Sequence, residues 1–260
     1  MTDRPVRIAV QLHQQHAEYG QIRDAVLRCE DAGVDIVFNW DHFFPLNGDP
    51  DGKHFECWTM LGAWAEQTER VEIGALVTGA GYRNPDLLAD MARTVDHISG
   101  GRLILGLGAG WKERDYTEFG YEFGTAGSRI ATFGEALPRI RARLAAGNPA
   151  PTRDIPILIG GGGEKKTLRL VAEHADIWHS FSDAQVLVRK SGILDEHGAA
   201  VGRDTKTLVE RSTEVRHGSP AELAEPLVAA GATLFTLGLD VPDLDLSLTK
   251  DWVAWRDAQA

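Results

Sequence analysis

A chain of 260 residues suits one α/β barrel or two small domains, and it is long enough to bury a full-sized core. Its formal net charge of −11 repels polyanions, which argues against nucleic acid or an anionic membrane surface as a partner. Any phosphate site must then be locally basic or built from backbone N–H groups. Apolar residues make up 43% of the chain, yet no run approaches the roughly 18 consecutive apolar residues of a membrane span. The opening MTDRPVRIAV runs straight into a strand pattern without a basic leader or cleavage site, so a cytoplasmic protein is expected. Two cysteines, Cys29 and Cys57, fall in predicted helices and form neither a zinc spacing nor a disulfide framework.

The first predicted strand is Val6–Leu12, followed by a helix whose stripe is Ile22, Ala25, Val26 and Cys29, closed by Gly33. Strand two is Asp35–Trp40. Strand three, Val71–Val77, leads to a helix striped by Leu88, Met91, Val95 and Ile98 and ended by Gly100 and Gly101. Strand four is Arg102–Gly108. Strand five, Ile155–Gly161, precedes a helix with Leu168, Val171, Ala172 and Ala175 on one face. Strand six is Asp176–Phe181, and strand seven, Thr207–Val215, is more polar than the rest. Ser219-Pro220 with Glu222 starts a further helix, with a hydroxyl cap and proline in the first turn. Strand eight is Thr233–Leu239. Most strands are near-continuous hydrophobic runs, as expected of strands covered on both faces. Eight strands alternating with helices predict a single (β/α)8 TIM barrel over residues 1–260, with an open doubly wound sheet as the rival.

In a barrel the site lies at the carboxyl ends of the strands. The loops there hold Gln11, His13 and His16 after strand one, Asp41 and His42 after strand two, and TGAGYRNP, GAGWKERDY and GGGGEKKT after the next three. The last is the most legible chemically. Gly160 to Gly163 let backbone N–H groups approach an anion, the helix that follows adds partial positive charge, and Lys165, Lys166 and Arg169 supply cations. A flexible turn with a solvated basic helix face is the competing account. GLGAG, Gly106 to Gly110, lacks the acidic residue of a dinucleotide fingerprint and suits either a flat ring against the backbone or a tight turn. His42, beside Asp41, is the candidate acid–base group, the alternative being a packed histidine. No histidine spacing calls for a metal, and no G-x-S-x-G elbow points to acyl transfer.

WDHFFP, the stretch FECWTMLGAWAEQTERVEIGALVTGAGYRNPDLLADMARTVDHISGGRLILGLGAGWKERDYTEFGYEF, PILIGGGGEKKTLRLVAEHADIW and the C-terminal TLFTLGLDVPDLDLSLTKDWVAWRDAQ together resemble the bacterial luciferase-like monooxygenase superfamily, and within it the group using the deazaflavin coenzyme F420. The resemblance implies that His42 acts as acid or base over the redox-active carbon, with Asp41 beside it. It implies a non-proline cis peptide at Leu76-Val77 against which the cofactor ring rests, with Thr78 next to it, and a loop along the cofactor side chain at Gly108, Ala109 and Gly110. It also implies a phosphate-binding turn at Gly161, Gly162, Gly163, Glu164 and Lys165. Sugar-phosphate dehydrogenases of the group have glutamate where Trp111 stands and tryptophan where Leu46 stands, which puts that activity in doubt. The segment GNPAPTRDIP is shorter than the insertion many relatives carry over the site, implying a more open pocket or one covered by a partner subunit. F420 is therefore the expected cofactor and FMN the alternative, with a small organic molecule as substrate. A barrel that binds ligand without turnover is a third reading. Trp64, Trp252 and Trp255 suit either helix packing or a subunit interface, and relatives that are often dimers favour a homodimer.

Overall fold

The computed structural model describes residues 4–259, so the sequence reading of Met1–Asp3 and of Ala260 falls outside the described residues. Strands β1 (Arg7–His13), β2 (Ile36–Asn39), β3 (Glu72–Ala75), β4 (Thr78–Gly79), β5 (Leu103–Gly108), β6 (Ile157–Gly160), β7 (Ile177–Ser180), β8 (Glu210–Glu214) and β9 (Ala232–Asp240) are all parallel. β1 pairs with both β2 and β9, and β3 pairs with β5 through Ile73 and Gly74, so the sheet closes on itself. β4 is a two-residue continuation of β3 beyond Leu76-Val77, and it rejoins β5 at Leu107 and Gly108. Eight strand positions thus make a (β/α)8 barrel, and the open-sheet rival is set aside.

The helices are α1 (Tyr19–Asp31), α2 (Cys57–Gln67), α3 (Pro85–Ile98), α4 (Glu113–Glu118), α5 (Ala126–Ala145), α6 (Thr167–His174), α7 (Ala184–Ala200), α8 (Thr205–Leu208), α9 (Pro220–Ala229) and α10 (Ser247–Asp257). No described helix is long and apolar enough to cross a membrane. The strands' alternating side chains divide the core in two. Ala9, Ile36, Phe38, Ile104, Leu158, Ile177 and Leu234 fill the barrel, while the opposite faces pack against the helices. The predicted stripe of α1 is fully buried, and α9 begins with the Ser219/Glu222 capping box. On α3 the buried face rotates toward Leu88, Ala89, Ala92, Val95 and Asp96, leaving Ile98 44% exposed.

Two boundaries differ from the expected ones. Strand three stops at Ala75, and its pairing with β5 resumes at Thr78 in a register shifted by one residue. The polar seventh strand is real but short, since Thr205–Leu208 forms a helical turn capped by Asp204. Its buried charges are matched: Glu210 pairs with Arg7 of β1, and Arg211 with Asp195 of α7 at 2.7 Å. Trp64 and Trp252 are fully buried within this one chain, and Trp255 packs edge-on against Phe235 and Trp252. Trp64 and Trp252 are core residues, and Trp255 is half-buried against the core.

Candidate active site

At the carboxyl end of the barrel a cavity of about 480 Å³ opens, with its floor on the Leu76-Val77 bulge. The Leu76-Val77 peptide bond is cis, and the Gln11 side-chain amide donates to the Leu76 carbonyl. Val77 projects between β5 and β6. A Cβ on Gly108 would stand 2.6 Å from Val77 Cγ2, and one on Gly160 would stand 3.0 Å from Cγ1. A side chain at Gly108 would force Val77 to move and one at Gly160 would crowd it, so the two glycines keep the floor beside the bulge flat.

Of the residues singled out in the sequence, Asp41, His42, Leu76, Val77, Gly108, Ala109, Gly110 and Gly161 line this one cavity. Thr78 does not reach it. Its buried hydroxyl accepts a hydrogen bond from Trp58 Nε1 at 3.0 Å. Gly162, Gly163, Glu164 and Lys165 continue from Gly161 beyond the cavity wall. His16 faces away from the site, bonded to the Asn47 carbonyl at 2.8 Å.

The adjacency of Asp41 and His42 is not a hydrogen-bonded pair. Asp41 is fully buried and takes a two-armed contact from Arg83, at 2.5 and 3.1 Å, while Arg83 also reaches Glu56 at 2.5 Å. Burial pushes the Asp41 carboxyl up, and the Arg83 charge pulls against it. His42 instead turns its Nδ1 to Asp115 Oδ2 of α4, 2.5 Å away. Asp115 is wholly buried, and it also accepts from the Phe43 N–H at 3.1 Å and the Tyr82 hydroxyl at 3.2 Å.

Aromatic rings wall the space above His42. His13 stacks on Trp40 with centroids 4.6 Å apart, and Trp40 and Trp111 meet the His42 ring edge-on at 6.1 and 5.7 Å. Trp111, 62% exposed, and Leu46 both border the cavity, at the two positions where the sequence departs from sugar-phosphate dehydrogenases. Trp40 Nε1 donates to His54, whose imidazole burial holds down at about 4. Arg216 forms part of the rim, bonded to Glu214 at 3.1 Å and set over Phe181.

At the other end Gly161 has φ +119°, a conformation natural to glycine, which swings the chain from β6 toward α6. Its carbonyl accepts from Trp178 Nε1 at 2.8 Å. Among the described residues, the N–H groups of Gly162 to Lys165 donate to no backbone or side-chain acceptor. Lys165 and Lys166 are exposed, and Glu164 pairs with Arg189 of α7. A cation absent from the sequence reading lies closer: a Cβ on Gly162 would collide with Lys190 Nζ of α7, and Lys190 has no ion-pair partner among the described residues. His179, also missed, is buried at the cavity wall with Nδ1 2.9 Å from Ser212 Oγ, and burial lowers it to about 4. No local motif marks Asp115, Lys190 or His179, because each reaches the site from a distant element. Among the described residues no group of three or more His, Cys, Asp or Glu side chains is placed to hold a metal.

A putative coenzyme F420-dependent oxidoreductase of Mycobacterium tuberculosis is 30% identical over 198 residues, covering 64% of this chain and 50% of that protein. An F420-dependent glucose-6-phosphate dehydrogenase of Amycolatopsis mediterranei is 28% identical over 232 residues, covering 78% of this chain and 67% of that one. An uncharacterized M. tuberculosis protein is 27% identical, and the match spans 64% of its length. The chain thus spans between half and two thirds of these curated relatives. Among solved structures, an F420-dependent secondary alcohol dehydrogenase superposes with a TM-score of 0.83 at 17% identity, over 96% of this chain and 98% of that one, which establishes the shared fold. The profile of the luciferase-like monooxygenase family matches residues 4–231, and the chain belongs to that family.

Proposed function

We propose that this chain is an F420-dependent oxidoreductase in which His42 moves the proton that accompanies hydride transfer to or from a small organic substrate. The observation that carries this reading is the single cavity shared by the His42 ring, the flat glycine-backed bulge and the Gly161 turn. The residues fit such a cofactor: a planar ring system needs a floor without side chains, and a phosphate needs unpartnered N–H groups and a cation. Leu76, Val77, Gly108, Ala109 and Gly110 would hold the ring, and Gly161 to Lys165 with Lys190 the phosphate. When bound, the deazaflavin supplies or accepts a hydride.

The chain's own work is then positional and acid–base. The bulge would support the ring, the Trp40 and Trp111 walls would limit water, and His42 would hold or release a proton at Nε2. A small neutral carbonyl compound or alcohol suits the aromatic space better than a sugar phosphate, since Arg216, the one arginine lining the cavity among the described residues, is already bonded to Glu214. Two copies assembling in the cytoplasm complete the proposal, and sedimentation of the purified chain reads the first part of it.

His42→Ala tests the role directly. Turnover of F420 with an alcohol and ketone panel should fall roughly 10² to 10⁴-fold while cofactor affinity holds. Unchanged turnover would remove His42 from the mechanism. Turnover with FMN and dioxygen but not with F420 would transfer the reading to a flavin monooxygenase.

A further inference from the structure

We propose that Asp115 is the positioning residue of the proton transfer, holding His42 in the one tautomer that leaves an acceptor at Nε2 facing the cavity. The inference rests on the reading of His42 as the proton-moving group. Its geometry, however, exists before any cofactor binds.

An ionised carboxylate can only accept hydrogen bonds. Asp115 is fully buried and accepts three: from the Phe43 N–H at Oδ1, and from Tyr82 Oη and His42 Nδ1 at Oδ2. Burial and then the Asp115 charge push the Tyr82 phenol up, so it remains an O–H donor. His42 must therefore carry its hydrogen on Nδ1. A neutral imidazole with Nδ1–H has a bare Nε2, and no described residue bonds that atom, while the ring borders the cavity. This is the nucleophile–base–orienter logic of acyl-transfer enzymes, transferred to a base that serves a redox substrate.

The consequence for chemistry is directional. In alcohol oxidation the substrate O–H bond breaks, its electron pair becomes the second C–O bond of the carbonyl, and the proton goes to Nε2. The hydrogen on the same carbon would depart with the C–H electron pair as hydride, which a bound deazaflavin would accept. In reduction the imidazolium returns that proton to the alkoxide oxygen, and the buried Asp115 charge stabilises the imidazolium in the interval.

The same three bonds dictate what an amide would do. In Asp115→Asn the Phe43 N–H, fixed by the backbone, keeps the amide oxygen at the Oδ1 position. The NH₂ group then stands where Oδ2 was and donates to His42 Nδ1, which drives the ring proton to Nε2. A hydroxyl such as that of Tyr82 can rotate to accept.

The test is the ¹⁵N spectrum of imidazole-labelled, cofactor-free protein at a pH where histidines are neutral, in wild type and D115N, alongside steady-state kinetics. The wild type should show His42 as Nδ1–H and D115N should show it as Nε2–H. kcat should fall about 10²-fold or more in D115N, with KM within a few-fold of wild type. A wild-type His42 with its proton on Nε2 overturns the proposal, even if D115N does not fold, and so does D115N with wild-type kcat. If the tautomers switch as stated yet the chain binds no deazaflavin, the functional reading fails and the role of Asp115 in orienting His42 stands.

Discussion

Arg83→Met removes the one counter-charge that contacts Asp41 among the described residues. Asp41 has no solvent-exposed side-chain surface, and both its oxygens are held by Arg83 at 2.5 and 3.1 Å. Stripping one partner from a buried ion pair costs about 3 to 5 kcal/mol, because the remaining charge has lost both its water and its partner. For 260 residues, an unfolding entropy of roughly 2.1 cal/mol/K per residue converts that loss to a Tm drop of about 5 to 9 °C. Asp41→Asn in the same chain should recover most of the loss, since a neutral amide no longer demands a cation. Denaturant unfolding of wild type, R83M, D41N and the double variant closes a mutant cycle. The reasoning is refuted if R83M costs less than about 1 kcal/mol, or if the double variant is no more stable than R83M.

Acid should destabilise the fold through its buried neutral histidines. His179 sits at about 4 when folded, against an ordinary value of 6.5. Between those values the unfolded chain binds more protons, so stability rises with pH across the window and is lost as pH falls through it. At pH 5 the loss from His179 is about 2 kcal/mol, and His179→Asn should flatten the pH dependence of unfolding by that amount; an unchanged slope contradicts it. Lys190→Ala should weaken cofactor binding roughly tenfold and reduce its dependence on salt, more than Lys165→Ala does, because Lys190 stands over the Gly162 backbone while Lys165 is exposed. Equal effects at the two lysines would remove α7 from the phosphate site.

The barrel was readable because buried parallel strands announce themselves as continuous apolar runs, and RLILGLG or IPILIGG admits little else. The polar ERSTE strand was harder, since its burial depends on Arg7 and Asp195, which lie far away in the chain. The glycines of the site were legible too, as a flat floor and a tight turn leave no room for a β-carbon. What misled was adjacency. Asp41 and His42 both border the cavity, yet Asp41 turns its carboxylate to Arg83 and His42 its Nδ1 to Asp115. The carboxylate that meets His42 comes from 73 residues away, on a short helix that pairwise spacing cannot relate to the histidine. Lys190 escaped notice in the same way, since α7, the third element beyond the glycine turn, brings it back.

Equilibrium titration of the purified chain with F420 and separately with FMN, read by cofactor fluorescence and repeated on Gly161→Val, addresses the shared cavity most directly. The proposed F420 reading predicts saturable binding of that cofactor at one site per chain, tighter than FMN, and a large loss in the variant, whose β-branched side chain cannot adopt φ +119°. Failure of F420 to bind, tighter binding of FMN, or wild-type affinity in Gly161→Val would contradict it.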